Sequence, residues 1–381
     1  MRLANLEVFS FPMPFKAVFR HAAAKRDRTE NLIVAARSTS GLGGYGEGCP
    51  RPYVSGESVA GGLAFIERHR DSLIRDIHDV PSLKEWMVRH RTEIDRNPAA
   101  FCAVELAILD LIGQVSRCPV EDLLGVPRLS GAVRYSAVVG DAPYVAYRWQ
   151  VYRYRKLGSR DFKIKLSGDL RRDQRKMRVF RNAPDGLLRI RLDANNFWDS
   201  AQECIDHIKA LRHGFFAIEE PLQVGDLDGF SRVAEACSAR VILDESLLRP
   251  EQIGALADSE RWLVNIRVSK MGGIIRSLAV AAAAREQGIG VIVGAQVGET
   301  SILTRAGLAV MSAIQPNLVA SEGAFGTWLL REDLTSPCLM FGSGSVLRAK
   351  EAVGDRHSGL GLSVRRDALV PAVSLTSPGS Q

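Results

Sequence analysis

The sequence predicts an α/β protein, a TIM-like β/α barrel preceded by a small α+β domain. Eight short apolar segments alternate with helical segments after residue 131, charged residues recur where those segments end, and earlier strands are followed by helices. An open doubly wound sheet is the alternative. That fold would favour a glycine-rich phosphate loop after an early strand, and neither GxGxxG nor GxxxxGK[ST] stands there.

Bulk composition limits the class of protein. A length of 381 residues suits two domains or a barrel with an appendage, and 46% hydrophobic with 24% charged residues is typical of a soluble globular protein. Residues 1–17 lack the apolar core of a secretory signal, and no apolar run approaches the roughly 18 residues of a membrane span. The six cysteines form no CxxC pair, so we expect reduced thiols in a cytoplasmic protein.

The charge pattern argues against nucleic acid as a partner. The net charge is +7, and the densest basic run lies at residues 171–181, where Phe180 is the only aromatic residue. Nucleic-acid surfaces combine basic residues with aromatic or groove-entering elements. We interpret the run as the exposed face of a helix, and we expect neither a nucleic-acid nor a membrane partner.

Three units are predicted along the chain. Residues 1–130 form the α+β domain, 131–330 the barrel, and 331–381 a loop-rich C-terminal segment with mobile last residues. In the first unit, strands are predicted at 6–11 and 31–37 and helices at 57–75, 82–90 and 98–115. In the barrel, strands are predicted at 133–139, 161–166, 187–192, 215–218, 241–243, 263–268, 290–293 and 318–320. Its helices include 201–212, 231–236, 250–257 and 276–287, and one late strand is predicted at 359–364.

Charged residues stand at the ends of five successive barrel strands. They are Lys165, Asp193, Glu219, Asp244 and Lys270, each between 25 and 28 residues after the one before. Barrel active sites lie at the carboxyl ends of the strands. A single charged strand end is often a salt bridge or a cap, whereas five at one structural position indicate a site.

The three carboxylates of this set predict a metal site. Asp193, Glu219 and Asp244 would repel one another at one rim, and a divalent cation removes that cost. Three oxygen ligands on neighbouring strands suit Mg²⁺, with Mn²⁺ as a possible substitute. The alternative is a network of ion pairs with nearby arginines.

The lysines predict proton transfer. Strands two and six lie opposite each other in an eight-stranded barrel, so Lys165 and Lys270 are expected to face one another across the metal. A substrate carboxylate on the metal would then have a lysine on each face of its α-carbon, and the metal would stabilise the enediolate that forms. Lys163 points into the barrel as well, because it lies two residues before Lys165 on the same strand.

These motifs resemble those of the enolase superfamily, in the mandelate racemase/muconate lactonizing enzyme family, and within it the muconate-lactonizing-enzyme subgroup. The matching pieces are Lys163-Ile164-Lys165, Asp193-Ala194-Asn195, Ile218-Glu219-Glu220-Pro221, Asp244-Glu245-Ser246, Lys270-Met271-Gly272-Gly273 and the helical segment 103–111. The resemblance covers nearly the whole chain. It implies an N-terminal capping domain, a (β/α)7β barrel and a C-terminal segment that packs back on the cap.

The resemblance also implies roles for residues. Mg²⁺ would bind Asp193, Glu219 and Asp244, Lys165 and Lys270 would be the acid/base pair, and Asn195 and Glu245 would support them. Relatives that use a His–Asp dyad are disfavoured, because residues 290–333 contain no histidine. The family's members are often homo-oligomers, which implies the same here.

The residues that select the substrate are less well defined. In this family loops of the cap close over the mouth, which makes Arg20, His21, Arg51 and Tyr53 candidates, and Gln296 and Glu299 follow strand seven. Family dipeptide epimerases carry Asp-x-Asp after strand eight, whereas here Glu322 is a single acid at a position where muconate-lactonizing enzymes carry one. This demotes a dipeptide substrate and leaves an N-substituted amino acid open.

Three functions remain open from the sequence. The first is a racemase or epimerase that transfers a proton between two lysines on a small carboxylate substrate. The second is a cycloisomerase or a dehydratase-type β-elimination enzyme, in which one lysine only stabilises charge. The third is a catalytically silent barrel used for binding, which the complete set of ligands and bases disfavours.

Overall fold

The computed structural model describes residues 1–21, 24–181, 187–353 and 357–372, and for residues 17–21 and 24–25 it describes the backbone but not the side chains. Its N-terminal part contains five strands: β1 (Leu3–Ser10), β2 (Pro14–His21), β3 (Ala24–Arg28), β4 (Leu32–Ser38) and β5 (Gly43–Gly48). Six helices follow: α1 (Pro52–Ser55), α2 (Val59–Asp76), α3 (Val80–Arg89), α4 (Arg91–Arg96), α5 (Pro98–Ser116) and α6 (Val120–Leu124). Strands β1, β4 and β5 form an antiparallel sheet, and β2 and β3 form a hairpin. The predicted α+β cap is confirmed.

Helix α5 is the core of the cap. Residues Pro98 to Gly113 are all buried, and Gly44, Gly46 and Gly48 of β5 turn one face toward the helix. A Cβ atom at any of these glycines would overlap backbone atoms of α5, so the period-two glycines permit the close approach. By length and composition α5 could cross a membrane, but 83% of its apolar window is buried inside the protein, as in the core helix of a soluble fold.

The barrel is a curled sheet of eight parallel strands. Strand β6 (Ala132–Arg134) precedes it, and the eight are β7 (Ala137–Val139), β8 (Asp161–Lys165), β9 (Arg189–Asp193), β10 (Ala217–Glu219), β11 (Arg240–Leu243), β12 (Trp262–Ile266), β13 (Gly290–Val293) and β14 (Leu318–Ser321). Each strand pairs with its neighbour in sequence. The Ser136 N–H donates to the Ser321 carbonyl at 2.8 Å, which joins the first strand to the last. The TIM-like (β/α)7β barrel is therefore confirmed.

Helices connect the barrel strands. They are α7 (Tyr144–Leu157), α8 (Leu170–Arg178), α9 (Ala201–Ala210), α10 (Leu227–Cys237), α11 (Val268–Met271), α12 (Ile274–Glu286) and α13 (Ser301–Ala313). The connection after β11 contains 3-10 turns at Pro250–Ala255 and Ser259–Arg261 in place of the predicted helix 250–257. The arginines of α8 are exposed, as expected for the basic run, whereas Lys176 of the same run is buried.

Two predicted barrel strands need correction. The strand predicted at 133–139 is split, because β6 leaves the barrel and pairs with β16 (Val346–Arg348). The strand predicted at 263–268 ends at Ile266, so Lys270 does not close it but lies on the one-turn helix α11.

The C-terminal segment returns to the cap. It contains β15 (Thr335–Ser336), β16, α14 (Ala349–Ala352), β17 (Ser363–Val364) and β18 (Val370–Pro371). Strand β17, which replaces the predicted strand 359–364, pairs with β15, and β18 pairs antiparallel with β1. The predicted division at residues 130 and 330 stays a prediction, and the predicted mobile end lies mostly outside the described residues.

The barrel interior is defined by residues that alternate along each strand. Ala217, Ile242, Leu263, Ile292 and Ala320 form an apolar cluster of their own, separate from the large core outside the sheet. Paired residues on neighbouring strands share a face of the sheet. The pairs Ile242 with Leu263 and Ile292 with Ala320 therefore mark the inner face.

Buried carboxylates of the cap hold the barrel by accepting from the first N–H groups of its helices. Glu105 accepts from Ile274 and Ile275 at 2.6 and 3.0 Å, at the start of α12. Glu47 accepts from the N–H of Thr300 at 2.9 Å and from its hydroxyl at 2.7 Å, at the start of α13. Helix N-termini favour such acceptors, and each contact ties the cap to one barrel helix.

We expect Gly273→Ala to weaken the contact between Glu105 and the start of α12. Gly273 has a φ of 110°, and an added Cβ would overlap the Glu105 carboxylate. The substitution should lower the free energy of unfolding, measured by urea titration, by about 1–3 kcal/mol. Gly254→Ala is the matched control, because its Cβ meets no atom within 4 Å, and it should change stability by less than about 0.5 kcal/mol. Equal stability of the two variants would contradict the prediction.

Candidate active site

The inner face of the barrel gathers charged side chains at the carboxyl ends of the strands. Lys165, Asp193 and Glu219 are the last residues of β8, β9 and β10, and they are paired across those strands. Asp244 follows β11 directly. All three carboxylates are at most 1% exposed, so their charges must be compensated inside the barrel.

Lys163 is the cation at the centre of this cluster. Its ammonium lies 2.7 Å from Glu219 Oε2, 3.2 Å from Asp193 Oδ2 and 3.3 Å from Glu322 Oε2. Burial lowers the pKa of Lys163, but the three carboxylates outweigh it and raise that pKa above its usual value. Lys163 is therefore a fixed positive charge in the site.

Lys165 is the more accessible of the two lysines on β8. Its side chain is 11% exposed, against 3% for Lys163. Its ammonium lies 3.0 Å from Asn195 Oδ1 and 3.4 Å from Asp193 Oδ2. The Asn195 N–H donates to Asp193 Oδ1 at 3.1 Å, so one asparagine, which the sequence predicted to be a supporting residue, orients both groups.

Arg267 is a site residue that was missed from the sequence. Its guanidinium forms a close ion pair with Asp244 Oδ2, and Nη2 lies 3.7 Å from Glu219 Oε1. Nη1 lies 3.3 Å from Gln296 Oε1. The alternation of β12 could have found it, because Arg267 is four residues after Leu263 of the inner cluster.

Lys270 is fully buried among acceptors of the loops. Its ammonium lies 2.6, 2.9 and 3.2 Å from the carbonyl oxygens of Asp244, Asn265 and Leu247, and 2.9 Å from Asp244 Oδ1. Burial and the neighbouring Arg267 lower the pKa of Lys270 to about 7. The expectation that Lys270 faces Lys165 across the metal stays a prediction, and the carbonyl groups around the Lys270 ammonium count against it.

A second layer of ion pairs lies beneath Lys163. The fully buried Arg191 donates to Glu322 Oε1 at 2.7 Å and to Ser136 Oγ at 3.0 Å, and it forms a close pair with Asp161. Burial raises the pKa of Glu322, but Lys163 and Arg191 outweigh it and bring that pKa to about 2. Glu322 is therefore an ionised partner of the two cations, and Arg191 and Asp161 were also missed from the sequence.

Glu220 shapes the loop after β11. It accepts from the N–H groups of Asp244 and Ser246 at 2.6 and 2.8 Å and from the Ser246 hydroxyl at 2.7 Å. Its neighbour Glu245 is 7% exposed, and burial together with Glu220 raises the pKa of Glu245 to about 8. Burial also raises the pKa of Glu219, because the lowering effect of Lys163 does not offset burial and the nearby Asp193.

The donor set suits a hard divalent cation. Asp193, Glu219 and Asp244 offer carboxylate oxygens from three adjacent strands, the ligand type and arrangement that Mg²⁺ prefers. Within the described residues no three or more His, Cys, Asp or Glu side chains stand close enough to hold an ion as they are. Instead Lys163 bridges Asp193 to Glu219, and Arg267 bridges Glu219 to Asp244. A metal would thus replace positive charge that is already there.

The predicted substrate-selecting residues divide into three groups. Arg51 is fully buried and donates to Pro50, Asn31 and Val297, so it ties the cap to the loop after β13, and its role in selecting the substrate stays a prediction. Tyr53 is half-buried on α1, and its role stays a prediction. The side chains of Arg20 and His21 lie outside the described residues.

The loop after β13 brings Gln296 to the site and uses Glu299 to do so. Glu299 Oε2 accepts from the Gln296 N–H at 2.9 Å, as expected for a loop-end cap. Burial and the neighbouring Glu47 raise the pKa of Glu299 well above its usual value. Gln296 in turn accepts from Arg267.

Comparison with known proteins gives one family and several relatives. Residues 146–368, more than half of the chain, match the family model described as enolase C-terminal domain-like. A hydrophobic dipeptide epimerase from Enterococcus faecalis is 28% identical over 84% of this chain and 90% of its own length. An N-succinyl-L-Arg/Lys racemase from Bacillus cereus is 23% identical over 88% of this chain and 90% of its own.

A solved structure agrees over nearly the whole chain. The crystal structure of a dipeptide epimerase from Methylococcus capsulatus complexed with Mg ion superposes with a TM-score of 0.80. It covers 96% of this chain and 100% of that one at 26% sequence identity. The cap and the barrel of the chain are thus similar in arrangement to those of that epimerase.

We expect Glu322→Gln to destabilise the protein by about 3–5 kcal/mol at pH 7, because it leaves Lys163 and Arg191 short of a buried partner. The pKa of about 2 lies below the usual 4.5, so this carboxylate stabilises the fold fully above pH 4.5 and loses that effect as the pH falls toward 2. Urea unfolding at a series of pH values should show the deficit shrinking over that window. The exposed Glu332→Gln is the control, and a deficit independent of pH would contradict the prediction.

Proposed function

The chain belongs to the enolase C-terminal domain-like family of the enolase superfamily, and from this we propose that it is an isomerase acting at the carbon α to a carboxylate. The observation that carries the proposal is the position of Lys165. It is the accessible lysine beside three buried strand-end carboxylates that suit a divalent cation. The names of the related epimerase and racemase support an isomerase of an amino-acid derivative.

We propose that Asp193, Glu219 and Asp244 hold Mg²⁺, or Mn²⁺ in its place. The Mg ion in the related crystal structure supports the choice of magnesium. When bound, the ion supplies Lewis-acid stabilisation of negative charge on the substrate carboxylate. Lys163 keeps a fixed positive charge beside Asp193 and Glu219, which adds to the attraction for an anionic substrate.

Lys165 is the proposed base that removes the α-proton of the substrate. In its neutral form, Lys165 takes the α-proton of the substrate. The C–H bond breaks, and the electron pair of that bond moves into the enediolate of the substrate. Asn195 holds the nitrogen of Lys165 at 3.0 Å and so fixes the direction of its approach. Return of a proton to the opposite face of the α-carbon would complete a racemisation or an epimerisation.

The nitrogen substituent of the substrate is expected to be neutral or anionic. Glu322 is the acid that follows β14, and both its oxygens are taken by Lys163 and Arg191. It is therefore poorly placed to bind a free substrate ammonium group. This supports an N-acyl amino acid, of the kind named for the related N-succinyl racemase, over a dipeptide with a free amino end.

A cycloisomerase is the second candidate. It needs one lysine as acid and base and a second cation that only stabilises charge, and the greater exposure of Lys165 than of the other described site lysines favours it. β-Elimination would use the same groups. For all these candidates a small carboxylate as partner, a homo-oligomer and a cytoplasmic location remain our expectations, with neither nucleic acid nor membrane as a partner.

Exchange of the α-hydrogen tests the proposal. Protein with Mg²⁺ in D₂O is incubated with N-succinyl and N-acetyl amino acids and dipeptides, and deuterium is followed by mass spectrometry and NMR. We expect exchange that EDTA abolishes and that Lys165→Met lowers by about 10²–10⁴-fold. Lys209→Met, on the exposed side of α9, is the control and should exchange as the wild type does. Undiminished exchange by Lys165→Met would contradict the role of Lys165.

A further inference from the structure

Strand β12 presents alternate residues to the barrel interior. Leu263 belongs to the inner apolar cluster, and Asn265 donates to Glu219 Oε1 at 3.1 Å, which places it on the same face. Val264 and Ile266 belong to the core outside the sheet. The next inward position is Arg267, directly after the strand ends. Lys270 is three residues further on, in the turn of α11.

Arg267 stands at the same position relative to the end of its strand as the other site residues do. Lys165, Asp193 and Glu219 end their strands, and Asp244 is the first residue after β11, as Arg267 is the first after β12. Its guanidinium lies among Asp244, Glu219 and Gln296, all of which are buried in the site. Strands β8 and β12 stand four places apart in the eight-stranded barrel, so they lie on opposite sides.

Lys270 has the contacts of a structural cation. Three main-chain carbonyls and one oxygen of Asp244 surround its ammonium, which has three protons to donate. It thereby ties the loop after β11 to the end of β12. Lys270 also lines a cavity of about 360 Å³ that Thr92, Asp95 and Pro98 of the cap share. None of the inward strand-end residues lines that cavity.

We propose that Arg267, and not Lys270, is the side chain that faces the substrate across from Lys165. This inference rests on the proposed function, and it assigns the residue that lies on the second face of the substrate α-carbon. Arg267 compensates Asp244 and Glu219, and a divalent cation held by these carboxylates would take over that charge. The guanidinium would then be available to the negative charge that develops on the substrate.

This assignment makes the two faces of the α-carbon unequal. Lys165 can take a proton and return it to the same face, which exchanges hydrogen with retention. Inversion requires Arg267 to give up a guanidinium proton and recover it from water, and guanidinium groups hold their protons tightly in proteins. We therefore expect retention to be faster than inversion in the wild-type protein, which favours the cycloisomerase among the proposed isomerases, and a lysine at position 267 would make the faces alike.

Magnesium titration calorimetry tests the assignment without a substrate. Arg267→Met removes the competing cation, and we expect the Kd for Mg²⁺ to fall by about tenfold or more. Arg249→Met is the matched control, because it removes an exposed arginine near the same rim and should change Kd less than about twofold. Lys270→Met should tighten Mg²⁺ binding less than Arg267→Met does, because Lys270 pairs with one of these carboxylates and Arg267 with two, and it should lower the melting temperature with and without Mg²⁺.

The outcomes separate the assignment from the proposed function. If the wild-type protein binds no Mg²⁺, the proposed function fails. If it binds Mg²⁺ and Lys270→Met alone tightens binding, the assignment of Arg267 fails while the function stands. For any probe that exchanges in D₂O, Arg267→Lys should raise the ratio of inversion to retention. The assignment would be overturned if Arg267→Lys left the ratio of inversion to retention unchanged and Lys270→Arg abolished inversion.

Discussion

Three buried carboxylates end neighbouring strands of the barrel, and the arrangement is stable only because cations stand between them. Lys163 compensates Asp193 and Glu219, and Arg267 compensates Glu219 and Asp244. Isolated charges at such depth would cost many kcal/mol, so the cations and carboxylates must be placed together. A divalent ion held by these carboxylates would need only to take over charge that the side chains now supply.

Among the described residues, acids of the cap contact the starts of the barrel helices that follow the site loops. Glu105 holds the start of α12, which follows the turn that carries Lys270, and Glu47 holds Thr300 at the end of the loop that carries Gln296 and Glu299. The loops after the sixth and seventh barrel strands are thus fixed by acids from another part of the chain. A change deep in the cap is therefore expected to reach the mouth of the barrel.

Much of the fold could be predicted because each strand and helix carries its own local pattern. The eight strands, the buried helix α5 and the three carboxylates all follow from periodicity and spacing. Arg267, the second cation beside the carboxylates, could not be found in the same way, since the prediction took the lysine nearest the glycine pair and placed the end of strand β12 two residues too late. Alternation along β12 selects Arg267, whereas the partners of Arg191, Glu322 and Arg51 depend on contacts between distant segments that no local pattern encodes.

The most direct test is anomalous diffraction from crystals of the protein soaked with Mn²⁺, which reports the ion and the surrounding side chains together. We expect one strong peak about 2.0–2.3 Å from oxygens of Asp193, Glu219 and Asp244. We also expect that Arg267 no longer pairs with Asp244 and that Lys270 keeps its carbonyl partners. Crystals without a peak at these carboxylates would contradict the metal site, and a bound ion with Lys270, and not Arg267, turned toward it would contradict the assignment of Arg267.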